Sequence, residues 1–272
     1  MSAPLRFLFA GCVNAGKSTL INALIGKELL ASAQDVCTNQ ISLISNLPAE
    51  APPDRPKRVT SRPARRRKTA EQRLQCTFRT LPGETFSGTL IDTPGINAAM
   101  HPEYKDITQK HILQQPFDRL LYVLNAAKLG TTDDRESLLW IQKHVANDKV
   151  VFVVTQLDKF RVSQDDIAET LRNVRQDLTG MGFRNPVICP VSAWYGLLLK
   201  RQWYGETLSD DDGDELELYI KKFQRSNYDL SHYYPFCPPM PEPSESSSYV
   251  RSYYNSGMYG LESLLFKEET DA

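Results

Sequence analysis

Gly11-Cys12-Val13-Asn14-Ala15-Gly16-Lys17-Ser18 stands between an apolar run, Leu5–Ala10, and a segment whose apolar residues Leu20, Ile21, Leu24 and Ile25 form one helical stripe ending near Gly26. The octet fits G-x-x-x-x-G-K-S in the place that motif needs, directly after a strand and at the opening of a helix. Glycine lets the backbone wrap closely, so that successive N–H groups of the loop and the helix N-terminus face a phosphate chain. Gly11, Asn14, Ala15, Gly16 and Thr19 belong to that cradle. Lys17 adds a point charge, and Ser18 offers a hydroxyl to Mg²⁺. A phosphate-binding loop is the expectation on which the rest of the sequence is read.

Outward from the loop, short apolar runs recur at Leu120–Leu124, Val150–Val154 and Pro186–Val191, with helix-period segments between them. Such alternation predicts an α/β fold, a doubly wound and mostly parallel sheet. Ser163 with Asp166 resembles an N-cap, and Ile167, Leu171, Val174 and Leu178 then form a stripe up to Gly180. Two stretches break the rhythm. Pro52 to Arg73 is proline-rich and basic, and roughly Arg201 to Asn255 begins acidic and becomes rich in Pro, Ser and Tyr; both read as insertions. The expected organisation is a nucleotide-binding domain over 1–200, an insertion over 201–256, partly disordered or a binding appendage, and a closing helix of the same domain over 257–272.

Composition narrows the surroundings more than the activity. An apolar fraction of 41% in 272 residues suits one elaborated globular domain. The net charge of -1 gives no general pull toward nucleic acid or acidic lipid. Five scattered cysteines without zinc spacing fit reduced thiols and predict neither a disulfide framework nor a metal cluster. No stretch approaches the ~18 apolar residues of a membrane span, so a cytoplasmic protein is expected, with a place at the periphery of a membrane still open.

Two downstream motifs identify the base. Asp92-Thr93-Pro94-Gly95 follows Leu90-Ile91, which places Asp92 at a strand end within reach of a Mg²⁺ shell and the Gly95 N–H near a γ-phosphate. Thr155-Gln156-Leu157-Asp158 ends the strand Val150–Val154 and looks like the guanine-reading [N/T]-K-x-D motif, with Gln156 in the lysine position. A carboxylate at Asp158 can accept from guanine N1–H and the 2-amino group together, a pair that adenine does not offer. Ser192-Ala193, after the last strand, matches the short turn whose backbone helps to read guanine O6. GTP or GDP with Mg²⁺ is the expected ligand set.

The order GCVNAGKS, DTPG, TQLD, SA resembles translation-factor-class GTPases, above all the dynamin-like and Era/TrmE-like groups. Asn22-Ala23-Leu24-Ile25-Gly26, Leu29-Leu30 and Cys37-Thr38 look like the dynamin-like N-A-L-L-G, L-L-P and T-T pattern, although Val36 and Cys37 replace its proline and first threonine. Gly260-Leu261-Glu262-Ser263-Leu264-Leu265 looks like the closing helix of that family. The similarity covers roughly residues 5–200 and 257–267, and includes no helical stalk, so membrane remodelling is not among the expectations. It implies that GTP is hydrolysed by a switch in which Thr38 is a second Mg²⁺ ligand ordered by the γ-phosphate. It also implies that Asn14, with Lys17 and Thr38 in the catalytic set, helps to hold K⁺ or Na⁺, and that the protein forms a nucleotide-dependent homodimer. Ile96 stands where many GTPases carry a water-orienting glutamine and cannot do that work.

Other signals compete less well. The basic run Arg55, Lys57, Arg58, Arg62, Arg65, Arg66, Arg67, Lys68, Arg73 reads first as a solvated loop and then as a contact for an anionic membrane surface or a partner protein. Nucleic acid ranks last, because stacking aromatics are absent until Phe78. Asp210-Asp211-Asp212-Gly213-Asp214-Glu215 reads as an acidic helix start and lacks the ligand order of an EF-hand. His101, His111, His144 and His232 are isolated in sequence. The alternatives to a dynamin-like switch are a nucleotide-holding scaffold with negligible turnover and an RNA-associated Era/TrmE-like GTPase.

Overall fold

β1 (Leu5–Ala10) runs through the middle of the computed structural model, which describes residues 4–30, 40–47, 57–58, 71–80, 86–96, 101–128, 130–234 and 247–266. Phe7, Leu8, Phe9 and Ala10 are all buried, as befits a strand covered on both faces, whose sequence is a continuous apolar run. The chain continues through α1 (Lys17–Ile25), β2 (Ile41–Asn46), β3 (Lys57–Arg58), β4 (Glu71–Cys76), β5 (Gly88–Asp92), α2 (Glu103–Gln114), β6 (Arg119–Asn125) and α3 (Thr132–His144). It then forms β7 (Val150–Thr155), α4 (Ile167–Gly180), β8 (Val187–Pro190), α5 (Ala193–Trp203), α6 (Asp210–Phe223), α7 (Ser247–Asn255) and α8 (Met258–Phe266).

The strands make one eight-stranded sheet in the order β3-β4-β2-β5-β1-β6-β7-β8. From β5 to β8 all pairings are parallel. β2 runs antiparallel to β5 and parallel to β4, and β3 is antiparallel to β4. The mostly parallel α/β sheet read from the sequence is therefore present. Strand order reverses at β1, and in open α/β sheets a ligand binds outside the carboxyl ends of the strands at that point. The pairings Phe9↔Asp92 and Asn125↔Thr155 bring the ends of β5, β6 and β7 to the same place.

Two local readings need correction. α4 is capped by Asp166, whose side chain accepts from the Glu169 N–H, while Ser163 lies outside the helix in the preceding turn. The basic stretch ends sooner than Arg73: Glu71, Gln72 and Arg73 already belong to β4, where Leu74 and Cys76 turn inward with the period of a strand. The inward face of α4, Ile167, Leu171, Val174 and Leu178, is the stripe that the sequence predicted.

The chain after residue 200 packs on the helices beside the sheet. Ser209 caps α6 by accepting from the Asp212 N–H, and three aspartates fill its first turn, where the helix dipole favours them. Leu216, Tyr219 and Phe223 on its inward face are buried, and Phe223 stacks on Tyr195 of α5 with ring centroids 5.1 Å apart. α8 closes the other side, where Phe266 stacks on Phe86 at 4.4 Å and Phe86 on Phe7 of β1 at 5.5 Å. Between them Lys200 of α5, almost wholly buried, pairs with Glu262 of α8 and donates to the Leu24 carbonyl of α1 at 3.1 Å. No helix among the described residues is long and apolar enough to cross a membrane.

Candidate nucleotide site

Gly11 leaves β1 with φ 150, Asn14 turns the chain with φ 60, and Gly16 enters α1 with φ 93. A Cβ at Gly11 would lie 2.5 Å from the Val123 carbonyl oxygen of β6, so the loop leans on the sheet only because that side chain is missing. The first helical bond of α1 runs from the Leu20 N–H to the Gly16 carbonyl at 2.9 Å. The Ser18 and Thr19 N–H groups therefore have no acceptor within the helix and sit at its positive end, an anion-binding arrangement. Lys17 is buried, and its ammonium donates to the Gly11 and Cys12 carbonyls, both at 3.0 Å. Its charge is thus held across the mouth of the loop.

The loop is fastened from three directions. From β7, Thr155 Oγ1 donates to the Ala15 carbonyl at 2.6 Å and lies 3.1 Å from the Leu124 carbonyl. The Asn14 carbonyl accepts from Gln156 Nε2 at 2.8 Å and from Asn125 Nδ2 at 3.3 Å. After β5, the Ile96 N–H donates to the Gly11 carbonyl at 3.1 Å and the Val13 N–H to the Ile96 carbonyl at 3.2 Å. A Cβ on Gly95 would come within 2.8 Å of Val13 Cγ2, so glycine there permits the close approach. Ile96 serves as packing, nearly fully buried against the loop.

Asp92 is fully buried at the end of β5, next to Phe9, and Thr93 Oγ1 ties the following turn to the Phe9 carbonyl at 2.7 Å. Ser18 and Asp92 supply a hydroxyl and a carboxylate, hard oxygen donors of the kind Mg²⁺ takes alongside substrate phosphates and water. The residues present fit that ion. Among the described residues no group of three or more His, Cys, Asp or Glu could hold a metal by itself. Thr38, the remaining expected ligand, lies outside the described residues, as does most of the basic run. Arg73 is described, with its side chain exposed and 3.9 Å from the Glu71 carboxylate, a pairing that contributes little in water.

After β7, Asp158 sits in a one-turn 3-10 segment, Leu157–Lys159, and its Oδ1 accepts from Ser192 Oγ at 2.9 Å. Ser192 is fully buried, its N–H donates to the Ser256 carbonyl at 2.9 Å, and Ala193 begins α5. Gln156, with φ 63, reaches back to the loop through Nε2 while its Oε1 accepts from Lys159 Nζ at 2.9 Å. The glutamine thus ties the turn after β7 to the loop between β1 and α1, and has the Lys159 ammonium on its outer side.

Three contributors escaped sequence reading. Asn125 gave a faint signal, being the polar residue that closes an apolar strand. Asp134 of α3 accepts from Cys12 Sγ and from Tyr122 OH, each at 3.0 Å. Burial, then the Asp134 bond, pushes the Cys12 thiol up to about 12, so this loop cysteine stays a neutral thiol. Lys222 of α6 donates to the carbonyls of Asp158, at 2.6 Å, and Phe160. Burial lowers the pKa of Lys222, with Asp158 and Asp165 opposing the shift.

Residues 6–157, more than half of the chain, match the family described as 50S ribosome-binding GTPase. A curated relative, the probable transmembrane GTPase FZO-like, chloroplastic, of Arabidopsis thaliana, is 26% identical over 192 residues, 70% of this chain and 19% of its own length. Two solved structures of an oligomerised bacterial dynamin pair, described as sensing and tethering membranes over long range, superpose with a TM-score of 0.54 at 14% identity. They cover 97% of this chain and 42% and 49% of their own. The chain thus spans about a fifth of that curated relative, and the structural likeness is one of fold.

Proposed function

The chain belongs to the 50S ribosome-binding GTPase family, and from that premise we propose that it binds GTP and GDP with Mg²⁺ and hydrolyses GTP as a dynamin-like switch. One observation supports the reading: the turn over residues 155–158 is held at both ends, Gln156 Nε2 donating to the Asn14 carbonyl and Ser192 Oγ to the Asp158 carboxylate, so that the carboxylate proposed to read the base stands on the same short turn that is tied to the loop holding Lys17. Lys17 and the N–H groups of Gly16, Ser18 and Thr19 meet phosphate oxygens, while Ser18, Asp92 and Thr38 hold the metal. Bound Mg²⁺ supplies positive charge against the phosphates. Asp158 selects guanine, with Ser192 fixing its carboxylate and Ala193 lining the O6 side. Gly95, close to the loop, senses the γ-phosphate. On the same reading residues 1–200 and 257–272 make up the GTPase domain and 201–256 an insertion on it.

Ile96 offers no group to orient water, so the charge of in-line transfer must be met elsewhere. Asn14, exposed at the tip of the turn, is the chain's candidate to hold K⁺ or Na⁺ beside the phosphates, with a second copy closing over the site. The names of the relatives support a setting at a membrane surface. The test is single-turnover GTP hydrolysis with Mg²⁺ in K⁺, in Na⁺ and in a bulky organic cation. Phosphate release that is faster in the small cations supports the switch; GTP bound tightly but left intact in every salt supports the scaffold reading.

A further inference from the structure

Lys222 has its side chain turned into the protein from the last turn of α6, on the same face as Leu216, Tyr219 and Phe223. Only 9% of the residue remains exposed. A long cationic side chain rarely leaves water unless its head is fully engaged, since an unpaired buried ammonium is costly. Its donors go to two main-chain carbonyls, those of Asp158 and Phe160, and the Tyr228 ring lies 5.0 Å away. Both acceptors belong to the base-reading turn or its exit. That turn is a single 3-10 segment whose own bonds run only from Lys159 N–H to the Gln156 carbonyl at 3.1 Å and from Phe160 N–H to the Leu157 carbonyl at 3.2 Å. So short a segment has little stiffness of its own.

Asp158 is consequently gripped twice: by Ser192 at its carboxylate, and by Lys222 at its carbonyl. The carboxylate can accept from N1–H and the 2-amino group at once only if its plane is set before the base arrives. Ser192 fixes the carboxylate itself, and the charge-assisted bond from Lys222 fixes the backbone from which it projects. We infer that Lys222, on the insertion helix α6, is a positioning residue for guanine selection, holding the Asp158 turn in register with the base. The inference rests on the guanine reading given under the proposed function. It makes α6 part of the recognition apparatus, so whatever shifts α6 shifts base affinity.

The discriminating ligand pair is GDP and IDP, because inosine keeps N1–H and O6 but lacks the 2-amino group. In Lys222→Met, which keeps the length of the side chain and removes both of its bonds to the turn, the affinity for GDP should fall about tenfold, the effect of misplacing one of the two hydrogen bonds that guanine makes to the Asp158 carboxylate. The ratio of GDP to IDP affinity should fall with it, and Lys222→Arg, which keeps the donors, should retain most of both. In an Asp158→Asn background the same change should have a much smaller effect on the ratio. A folded Lys222→Met with the parental ratio overturns the inference. Should that variant not fold, hydrogen exchange decides on the unaltered protein: GDP, but not ADP, should slow exchange in the last turn of α6, and an unchanged rate there overturns the inference. Failure of the guanine reading itself looks different, since the unaltered protein would then bind ADP as well as GDP.

Discussion

Gly11→Ala would drive a methyl group to 2.5 Å from the Val123 carbonyl oxygen. The strand next to it cannot yield, so a loss of about 1–3 kcal/mol in denaturant unfolding, together with loss of nucleotide binding, is expected. Lys17→Ala should weaken GTP and GDP alike, because the charge it removes faces phosphates common to both. Ser18→Asn should weaken GTP more than GDP if, as proposed, Ser18 would help to hold a Mg²⁺ that supplies positive charge against the γ-phosphate; equal losses measured by calorimetry would remove Ser18 from that role. These residues were legible in sequence because their chemistry admits few substitutes and their spacing is fixed by one turn of chain. Asn125, Asp134 and Lys222 were not. Each acts on a loop far away in sequence, and only the sheet and the packing of α3 and α6 bring them there.

Between elements, the contact that should matter most for stability is the buried Lys200–Glu262 pair joining α5 to α8. Breaking it by Lys200→Met alone leaves a carboxylate buried without its cation, and about 3–5 kcal/mol of stability should be lost. Replacing both partners by apolar residues should cost far less, which a double-mutant cycle in chemical denaturation measures. α2 carries a pH dependence. His111 is buried there, and burial holds its pKa below the ordinary 6.5. Its folded pKa is depressed, so the unfolded chain takes up the proton first. Stability from this group is complete above pH 6.5 and is lost as pH falls below it. Thermal unfolding followed from pH 7.5 to 5 should show the loss, and His111→Phe should reduce it. At this scale β1, β6, β7 and α4 declared themselves by unbroken apolar runs or a clean helical period. β2 and β4 did not, because Ser42, Ser45, Gln72 and Arg73 interrupt their apolar pattern near the edge of the sheet.

For the molecule as a whole, turnover should rise with protein concentration, and Asn14→Ala should abolish the preference for K⁺ or Na⁺. An arginine supplied to other GTPases is worth about 10³–10⁵ in rate, which sets the size of the gap that cation and second copy have to fill. Hydrolysis that is the same at every concentration and in every salt would leave Asn14 as a turn residue only, chosen for its φ of 60. The functional reading depends on one claim, that the loops at the carboxyl ends of β1, β5, β6 and β7 receive a guanine nucleotide whose base is read by Asp158. Calorimetric titration of the protein and of Asp158→Asn with GDP, XDP and ADP in Mg²⁺ tests this most directly. The parent should bind GDP far more tightly than XDP or ADP, and Asp158→Asn should reverse the order of GDP and XDP. Equal affinity of the parent for GDP and ADP would contradict it.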